Sequence, residues 1–507
     1  MTHRVYIVHY FLILMFDLDL LADRCQRNRD VEKRGALMTH RKNMLLFITD
    51  QWRWDTLNQP NHPAKLPNLR AFAKEATTFC NAFTPVPLCT PARGSLFTGK
   101  LPHQHGAMDN VQGRSFYPQG KLHPDQVTYL ERLKDDGYAV SFIGKWHLGD
   151  RTLLDRGISD TSLSDGGDTD LMKTAEIAFG GSRKSPYYAT ITDGVALDEA
   201  RVNLAIEKLP ALAGADQPFC LVVCLHGPHF PHHVPKEYVD LYDDLPVDYM
   251  PDNWCPQFSE QGKPAAQGAS YWPCQNTADM TQDDWRRTAQ HYWGFCSWID
   301  ALFGRLRSAV STNGLDDSTV IAFTADHGEM LGAHGWFDKG PFFYEEVIRI
   351  PMILRDPESG QGEMRENFVS FHDLFPTAIE RARAGSLLTE AEQGRSFWRS
   401  QADRAFLEYD AYQGRQFRFR GIRDQRYKYI WSPHDRPELY DLETDPQERD
   451  NRAGDPALAE IQRALHDELF DWMRTEGDWL AGPGHHPPVG SYIDGRAASE
   501  QHDHGPM

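Results

Sequence analysis

Residues Met44 to Gln51 read MLLFITDQ, an apolar run closed by an acid and an amide. A short run with no polar alternation suits a strand buried on both faces, as in parallel sheets. Three later runs repeat the pattern. YAVSFIG leads into Lys145 and His147, FCLVVCL into His226 and His229, and TVIAFTA into Asp326-His327. Amphipathic stretches separate them, so from residue 43 onward the expected class is α/β, a mostly parallel sheet covered by helices on both faces. In such sheets ligands bind beyond the carboxyl ends of the strands, so these polar residues are expected to converge on one crevice. Each pair also has a plain reading. Asp after a strand is a common turn former or cap, His226 and His229 suit buried structural histidines in the proline-stiffened GPHFP segment, and Lys145 suits a solvated loop. Four such strand ends in one chain are hard to explain by turn chemistry alone.

A second stretch, PVPLCTPARGSLFTG from Pro85 to Gly99, raises a sharper question. Pro91 suits the first turn of a helix, which would place Cys89 at the N-terminus. Free N–H groups and the positive end of the helix dipole favour an anion there and lower a thiol's pKa. Arg93 would be a second anion-stabilising group. A small buried cysteine at a helix start is the plain alternative.

Composition narrows the function classes. A chain of 507 residues suits a large α/β domain plus a smaller one. Its formal charge of -19 disfavours nucleic acid as a partner. The eight cysteines lack CxxC pairs, so nothing demands disulfides or a zinc site. VYIVHYFLILMF near the N-terminus is too short to span a bilayer, which takes roughly 20 residues. Residues 1–37 read either as a signal-like segment without a clean cleavage site or as a mis-assigned start, since MTHR occurs at Met1 and again at Met38. The absence of an obvious cleavable signal leans towards the cytoplasm, with periplasmic or secreted location the alternative. After residue 400, FRFRGIRDQRYKYIW alternates like an antiparallel strand pair, and PALAEIQRALHDELFDWMR reads as a helix. The Gly-, Pro- and His-rich tail, 481–507, reads as unstructured alone. The expected division is a large α/β domain over 38–385 and a smaller C-terminal domain over 386–480.

PLCTPARGSLFTG resembles the signature of the type I, formylglycine-dependent sulfatases of the alkaline-phosphatase-like superfamily. The resemblance extends to FITDQ, GKWHLGD, HGPHFP, TADHGEMLGAHGWFDKGPFFYEEVIRIP and YKYIWSPHDRPELYDLETDPQERDN, in the family's order from about residue 43 to about 475. It implies an α/β/α sandwich with a smaller C-terminal α+β domain, and hydrolysis of a sulfate monoester. It also implies that a formylglycine-generating enzyme oxidises Cys89 to formylglycine, with Pro91 and Arg93 in the recognition sequence. One hydroxyl of the hydrated aldehyde would attack sulfur, and loss of the other's proton would then expel sulfate.

By the same resemblance Asp50, Gln51, residue 89, Asp326 and His327 form the metal shell. Oxygen donors suit calcium or magnesium, and the His327 nitrogen admits manganese. Many relatives carry Asp and Asn where this chain has Gln51 and His327. Lys145 and Lys339 would hold the sulfate, His229 would protonate the leaving oxygen, His147 would take the proton that releases sulfate, and Arg93 would orient the diol. Phosphonate monoester hydrolases and phosphodiesterases are the runner-up, sharing the Asp-Gln pair and an asparagine comparable to Asn110 but carrying hydroxyl side chains at the positions of Lys145 and His147. A sulfatase-like fold that binds ligand without turnover is the third reading. The nearest resemblance within the family is to choline sulfatases and bacterial arylsulfatases. Trp52, Trp54 and Trp146 are candidates for an alcohol pocket, or for core. A homo-oligomer is compatible with all three readings.

Overall fold

The computed structural model describes residues 41–482 except 60–61, 112–119, 150–151, 163–177, 185–187, 247, 255–261, 269–279 and 413–414. The readings of the N-terminal segment and of the C-terminal tail lie outside the described residues.

MLLFITD forms strand β1 (Asn43–Asp50) at the centre of an eight-stranded sheet. The other strands of that sheet are β2 (Thr77–Phe83), β3 (Ala139–Gly144), β4 (Asp160–Ser162), β7 (Phe219–Pro228), β9 (Thr319–Ala325), β10 (Met352–Arg355) and β11 (Glu363–Ser370). Their order is β11-β2-β10-β9-β1-β7-β3-β4. Strand β10 runs antiparallel to both neighbours, and the remaining pairs are parallel. The four apolar runs are therefore the adjacent strands β9, β1, β7 and β3, all pointing the same way. Their polar ends meet at one edge.

The reason β1 lacks alternation is visible in its neighbours. Met44, Leu46 and Ile48 face one apolar cluster, which includes Leu96 and Phe97 of helix α2 (Cys89–Thr98) and Phe375 and Ile379 of helix α6 (Leu374–Arg381). Leu45 and Phe47 face a second cluster, with Leu69 and Phe72 of α1 (Pro67–Ala73), Val202 and Leu209 of α4 (Leu197–Ala213), and Ile299, Phe303 and Leu306 of α5 (Gln282–Thr312). With helices on both faces, every β1 side chain after Asn43 is buried. Helix α3 (Tyr129–Asp135) adds Tyr129, Leu130 and Leu133 to the first cluster.

Two smaller sheets complete the framework. Strands β5 (Ala178–Lys184), β6 (Tyr188–Asp193) and β8 (His232–Pro235) lie in the order β5-β6-β8. Strands β12 (Ala405–Tyr412), β13 (Arg415–Arg423), β14 (Tyr427–Trp431) and β15 (Glu438–Asp441) form an antiparallel meander. Its Ile422, Tyr429, Trp431 and Leu439 pack on Leu465, Leu469, Phe470 and Met473 of helix α7 (Ala459–Glu476), as the alternation after residue 400 led one to expect. Its opposite face, with Leu407, Tyr409, Phe419 and Ile430, joins the first core cluster. Among the described residues no helix is long and apolar enough to cross a membrane, and five cysteines (Cys80, Cys89, Cys220, Cys224, Cys296) are unpaired.

Candidate active site

The four central strands deliver their terminal residues by sharp backbone turns. Gln51 after β1 and His147 after β3 have φ of 67° and 59°, in the left-handed region that side chains adopt at a cost. Gly144 ends β3 at φ 99°, and a Cβ there would lie 1.8 Å from the Cys224 carbonyl oxygen. Glycine alone lets β3 close against β7 and turn Lys145 inward.

Helix α2 begins at Cys89, and every residue from Cys89 to Thr98 is buried. Its first turn is satisfied in part by Asn110, whose side-chain oxygen accepts from the Thr90 N–H at 2.9 Å, while Pro91 brings no donor. The Cys89 sulfur lies 3.2 Å from His327 Nε2 and 3.8 Å from Asp50 Oδ1. Arg93, one turn on, donates to Asp326 Oδ2 at 3.0 Å, to Asp50 Oδ2 at 3.1 Å and to the Lys145 carbonyl at 2.8 Å. Lys145 Nζ donates to Asp50 Oδ2 at 2.6 Å. One guanidinium and one ammonium thus hold two buried carboxylates.

Ligand atoms of Asp50, Cys89, Asp326 and His327 all lie within 4.8 Å of one another, and all four residues are buried. Gln51 is tied to the same point by its backbone N–H, which donates to Asp326 Oδ1 at 3.1 Å. On its far side Lys339 Nζ donates to Gln51 Oε1 at 2.8 Å and meets His229 Nε2 at 2.8 Å. His229 Nδ1 donates to the Phe230 carbonyl, and its ring lies 4.8 Å from that of His226. His147 is one step removed, its Nδ1 3.2 Å from the hydroxyl of Thr90. Ten sequence-singled residues therefore share one neighbourhood: Asp50, Gln51, Cys89, Arg93, Lys145, His147, His229, Asp326, His327 and Lys339.

Electrostatics show what the arrangement favours. Burial and Asp50 push the Cys89 thiol up, but Lys145, Lys339 and His327 outweigh them and hold it well below the usual thiol range. Position 89 is thus built for an anion. Burial would raise the Asp50 carboxyl too, yet Lys145, Arg93 and His327 hold it well below the ordinary value. Burial and neighbouring Asp50 raise Asp326 to about 6, and His327 is raised to about 9, burial being outweighed by Asp326 and Cys89. Burial and Lys339 lower His229 to about 3, so its ring is neutral with the proton on Nδ1. Two carboxylates, a histidine and an anionic position 89 around one point fit a divalent cation, which would relieve the repulsion that raises Asp326.

Three contributors were not singled out in the sequence. Glu329 is fully buried and accepts from the Gln51 side-chain amide. Asp198 on α4 accepts from the His226 and Gly227 N–H groups at 2.9 and 2.7 Å, fixing the end of β7. Thr90 links Cys89 to His147. Glu329 carried one signal, an acid in a Gly-rich segment directly after Asp326-His327. Of the tryptophans, Trp52 and Trp146 are core. Trp52 donates to Thr56 Oγ1 at 2.7 Å and packs on Phe323, and Trp146 packs on Phe97 and Phe142. Trp54 lies 3.6 Å from the Arg349 guanidinium, at a cavity of about 410 Å³ lined by Arg53, Asp55, Tyr249, Trp293 and Glu346. The ten clustered residues do not line that cavity.

Residues 42–384 match the family model described as Sulfatase. The chain belongs to the sulfatase family. Residues 332–475 also match the model described as N-sulphoglucosamine sulphohydrolase, C-terminal. This sulfatase is 29% identical over 461 residues to the uncharacterized sulfatase YidJ of Escherichia coli (strain K12), covering 85% of this chain and 87% of that one. It is 28% identical over 451 residues to a choline-sulfatase of Rhizobium meliloti (strain 1021), covering 83% and 84%. In fold it is similar to the phosphonate monoester hydrolase of Silicibacter pomeroyi, with a TM-score of 0.70 at 22% identity, covering 87% of this chain and 97% of that chain. The sulfatase is a sulfuric ester hydrolase with an alkaline-phosphatase-like fold.

Proposed function

We propose that this sulfatase hydrolyses a small sulfate monoester using the hydrated formylglycine made from Cys89. The observation that carries the reading is position 89 itself. It opens a buried helix, touches His327 and Asp50, and lies in the field of Lys145 and Lys339. Asp50, Gln51, Asp326, His327 and residue 89 would hold one divalent cation, calcium first, with magnesium and manganese the alternatives. When bound, that cation supplies Lewis acidity that favours the ionised diol.

The side chains then divide the work. Lys145 and Lys339 face the sulfate oxygens and offset charge that develops as the ester bond breaks. His229 gives a proton to the leaving alcohol. The ring is neutral in the resting protein, with Nε2 2.8 Å from Lys339, so it takes up that proton from solvent on Nε2 when the anionic ester binds and engages the ammonium. Arg93 anchors Asp50 and Asp326 and keeps the diol's surroundings fixed. His147, linked to residue 89 through Thr90, takes the proton of the second hydroxyl, the carbon–oxygen bond to sulfate breaks, and the aldehyde returns. The formylglycine-generating enzyme is the partner this chemistry requires.

A second reading, a phosphonate monoester hydrolase, draws support from Asn110, whose side chain is fixed against Thr90 beside the nucleophile, and from the structural likeness above. Lys145 and His147 favour the sulfate. Protein whose residue 89 is confirmed by peptide mass as formylglycine should be assayed for initial rates on an aryl sulfate and an aryl phosphonate monoester. Preference for the sulfate supports the first reading, and preference for the phosphonate replaces it with the second. A residue 89 that stays a thiol in the native host leaves only ligand binding.

A further inference from the structure

Glu329 has no solvent exposure, and three N–H groups converge on its carboxylate. The backbone N–H groups of Leu331 and Asp338 donate to Oε1 at 2.9 and 2.6 Å, and the side-chain amide of Gln51 donates to Oε2. Burial and the Asp338 carboxylate push its pKa up to about 7, and these donors oppose that rise. On the other side of the Gln51 amide stands Lys339 Nζ, donating to Oε1 at 2.8 Å. An ammonium can only donate, and the three N–H groups aimed at Glu329 make both of its oxygens acceptors. The two neighbours leave the amide one orientation.

We infer that Glu329 is a positioning residue that holds the Gln51 amide with its oxygen facing the catalytic crevice and, through the same carboxylate, closes the loop 329–338 so that Lys339 stands beside it. Without an acceptor at 329, the amide would be free to turn its NH2 towards the crevice, where a cation and an ammonium both need an oxygen. The inference deepens the proposed function, because it rests on Gln51 as a metal donor. Its core, the fixed amide, stands on hydrogen bonds of the protein alone.

A donor–acceptor exchange tests it. Glu329→Gln preserves shape and can still accept from Leu331 and Asp338, but it sets one NH2 against another. Gln51→Glu sets two carboxylates against each other. The double variant E329Q/Q51E restores one donor facing one acceptor. Thermal unfolding of the three variants without metal should show both single changes lowering the midpoint and the double variant recovering more than half of their summed loss. Simple addition of the two losses overturns the inference. Calorimetric titration with Ca²⁺ gives an independent readout: E329Q should bind about 10- to 100-fold more weakly than the unaltered protein, as changes in groups supporting metal ligands do. Unchanged affinity overturns the inference as well. If the unaltered protein binds neither Ca²⁺, Mg²⁺ nor Mn²⁺, the metal reading of the proposed function fails, while the unfolding cycle still decides the role of Glu329.

Discussion

Raising the pH should loosen the seam between the C-terminal sheet and the helix that begins at Cys89. His103 lies in the helical turn Pro102–His105, just after α2. Its Nδ1 meets Glu408 Oε2 of β12 at 2.7 Å, and its Nε2 meets the Glu476 carbonyl at the end of α7 at 3.2 Å. With acceptors on both nitrogens, the ring is an imidazolium. The two side chains are 3% and 0% exposed. Burial opposes the charge, but Glu408, Asp478 and the Glu476 carbonyl prevail and raise the pKa from 6.5 to about 9. Because the folded value lies above the unfolded one, the stabilisation is complete below pH 6.5 and is lost as pH rises through about 9. At 1.36 kcal/mol per pKa unit, the shift amounts to about 3 kcal/mol. Urea unfolding of the unaltered protein and of His103→Gln, at several values from pH 6 to pH 10, isolates this contribution from other titrating groups. The gap between the two proteins should be about 3 kcal/mol at pH 6 and fall below about 1 kcal/mol at pH 10. A gap that does not change with pH would refute the reasoning, because the contact would then be packing without charge. Glu408→Gln should abolish the pH dependence in the same way.

Other consequences follow from the crevice. Lys145→Ala and Lys339→Ala should each lower kcat/KM on an aryl sulfate by on the order of 100- to 1,000-fold, and a loss under about tenfold for either would remove it from the sulfate-binding role. His229→Asn should slow esters of weakly acidic alcohols far more than nitrophenyl sulfate, seen as a steeper dependence of rate on leaving-group pKa; an equal loss across the series would take proton donation away from His229. Arg93→Met strips the partner from two buried carboxylates and should cost about 3–5 kcal/mol of stability in metal-free protein, measured by urea unfolding, with a smaller cost in excess Ca²⁺. Chelation should lower both activity and melting temperature, and Ca²⁺ at about 100 times its dissociation constant should restore about 2.7 kcal/mol; stability indifferent to the cation would contradict the clustered donors.

The central sheet was legible because burial on both faces removes alternation and leaves continuous apolar runs. Those runs also told where chemistry should lie, since each ended in residues that bind protons, anions or metals. Strand β10 was harder to foresee: its residues Met352 to Arg355 are too few to announce that the strand runs antiparallel. The tryptophans show a different limit. Indoles near polar residues in the sequence look alike whether they line a pocket or fill a core, and only the neighbours Phe323, Phe97 and Phe142 place Trp52 and Trp146 inside.

Three of the residues that sequence reasoning passed over share a property. Glu329, Asp198 and Glu408 are acids that act on other protein groups: Glu329 on an amide, Asp198 on the N–H groups at the end of β7, Glu408 on an imidazolium. A ligand-binding side chain announces itself by type and by its place at a strand end, whereas a supporting acid is defined by a partner far away in the chain. Glu329 and Gln51 are 278 positions apart, and His103 and Glu408 are 305. No local pattern links such pairs. Yet the supporting acids have little freedom to vary, because a buried carboxylate must find its donors and a buried donor its acceptor. Gln51 therefore answers to a partner 278 positions away. Beside Glu329, an aspartate would bring two carboxylates together, and the amide is the side chain that satisfies Glu329 on one edge and Lys339 on the other.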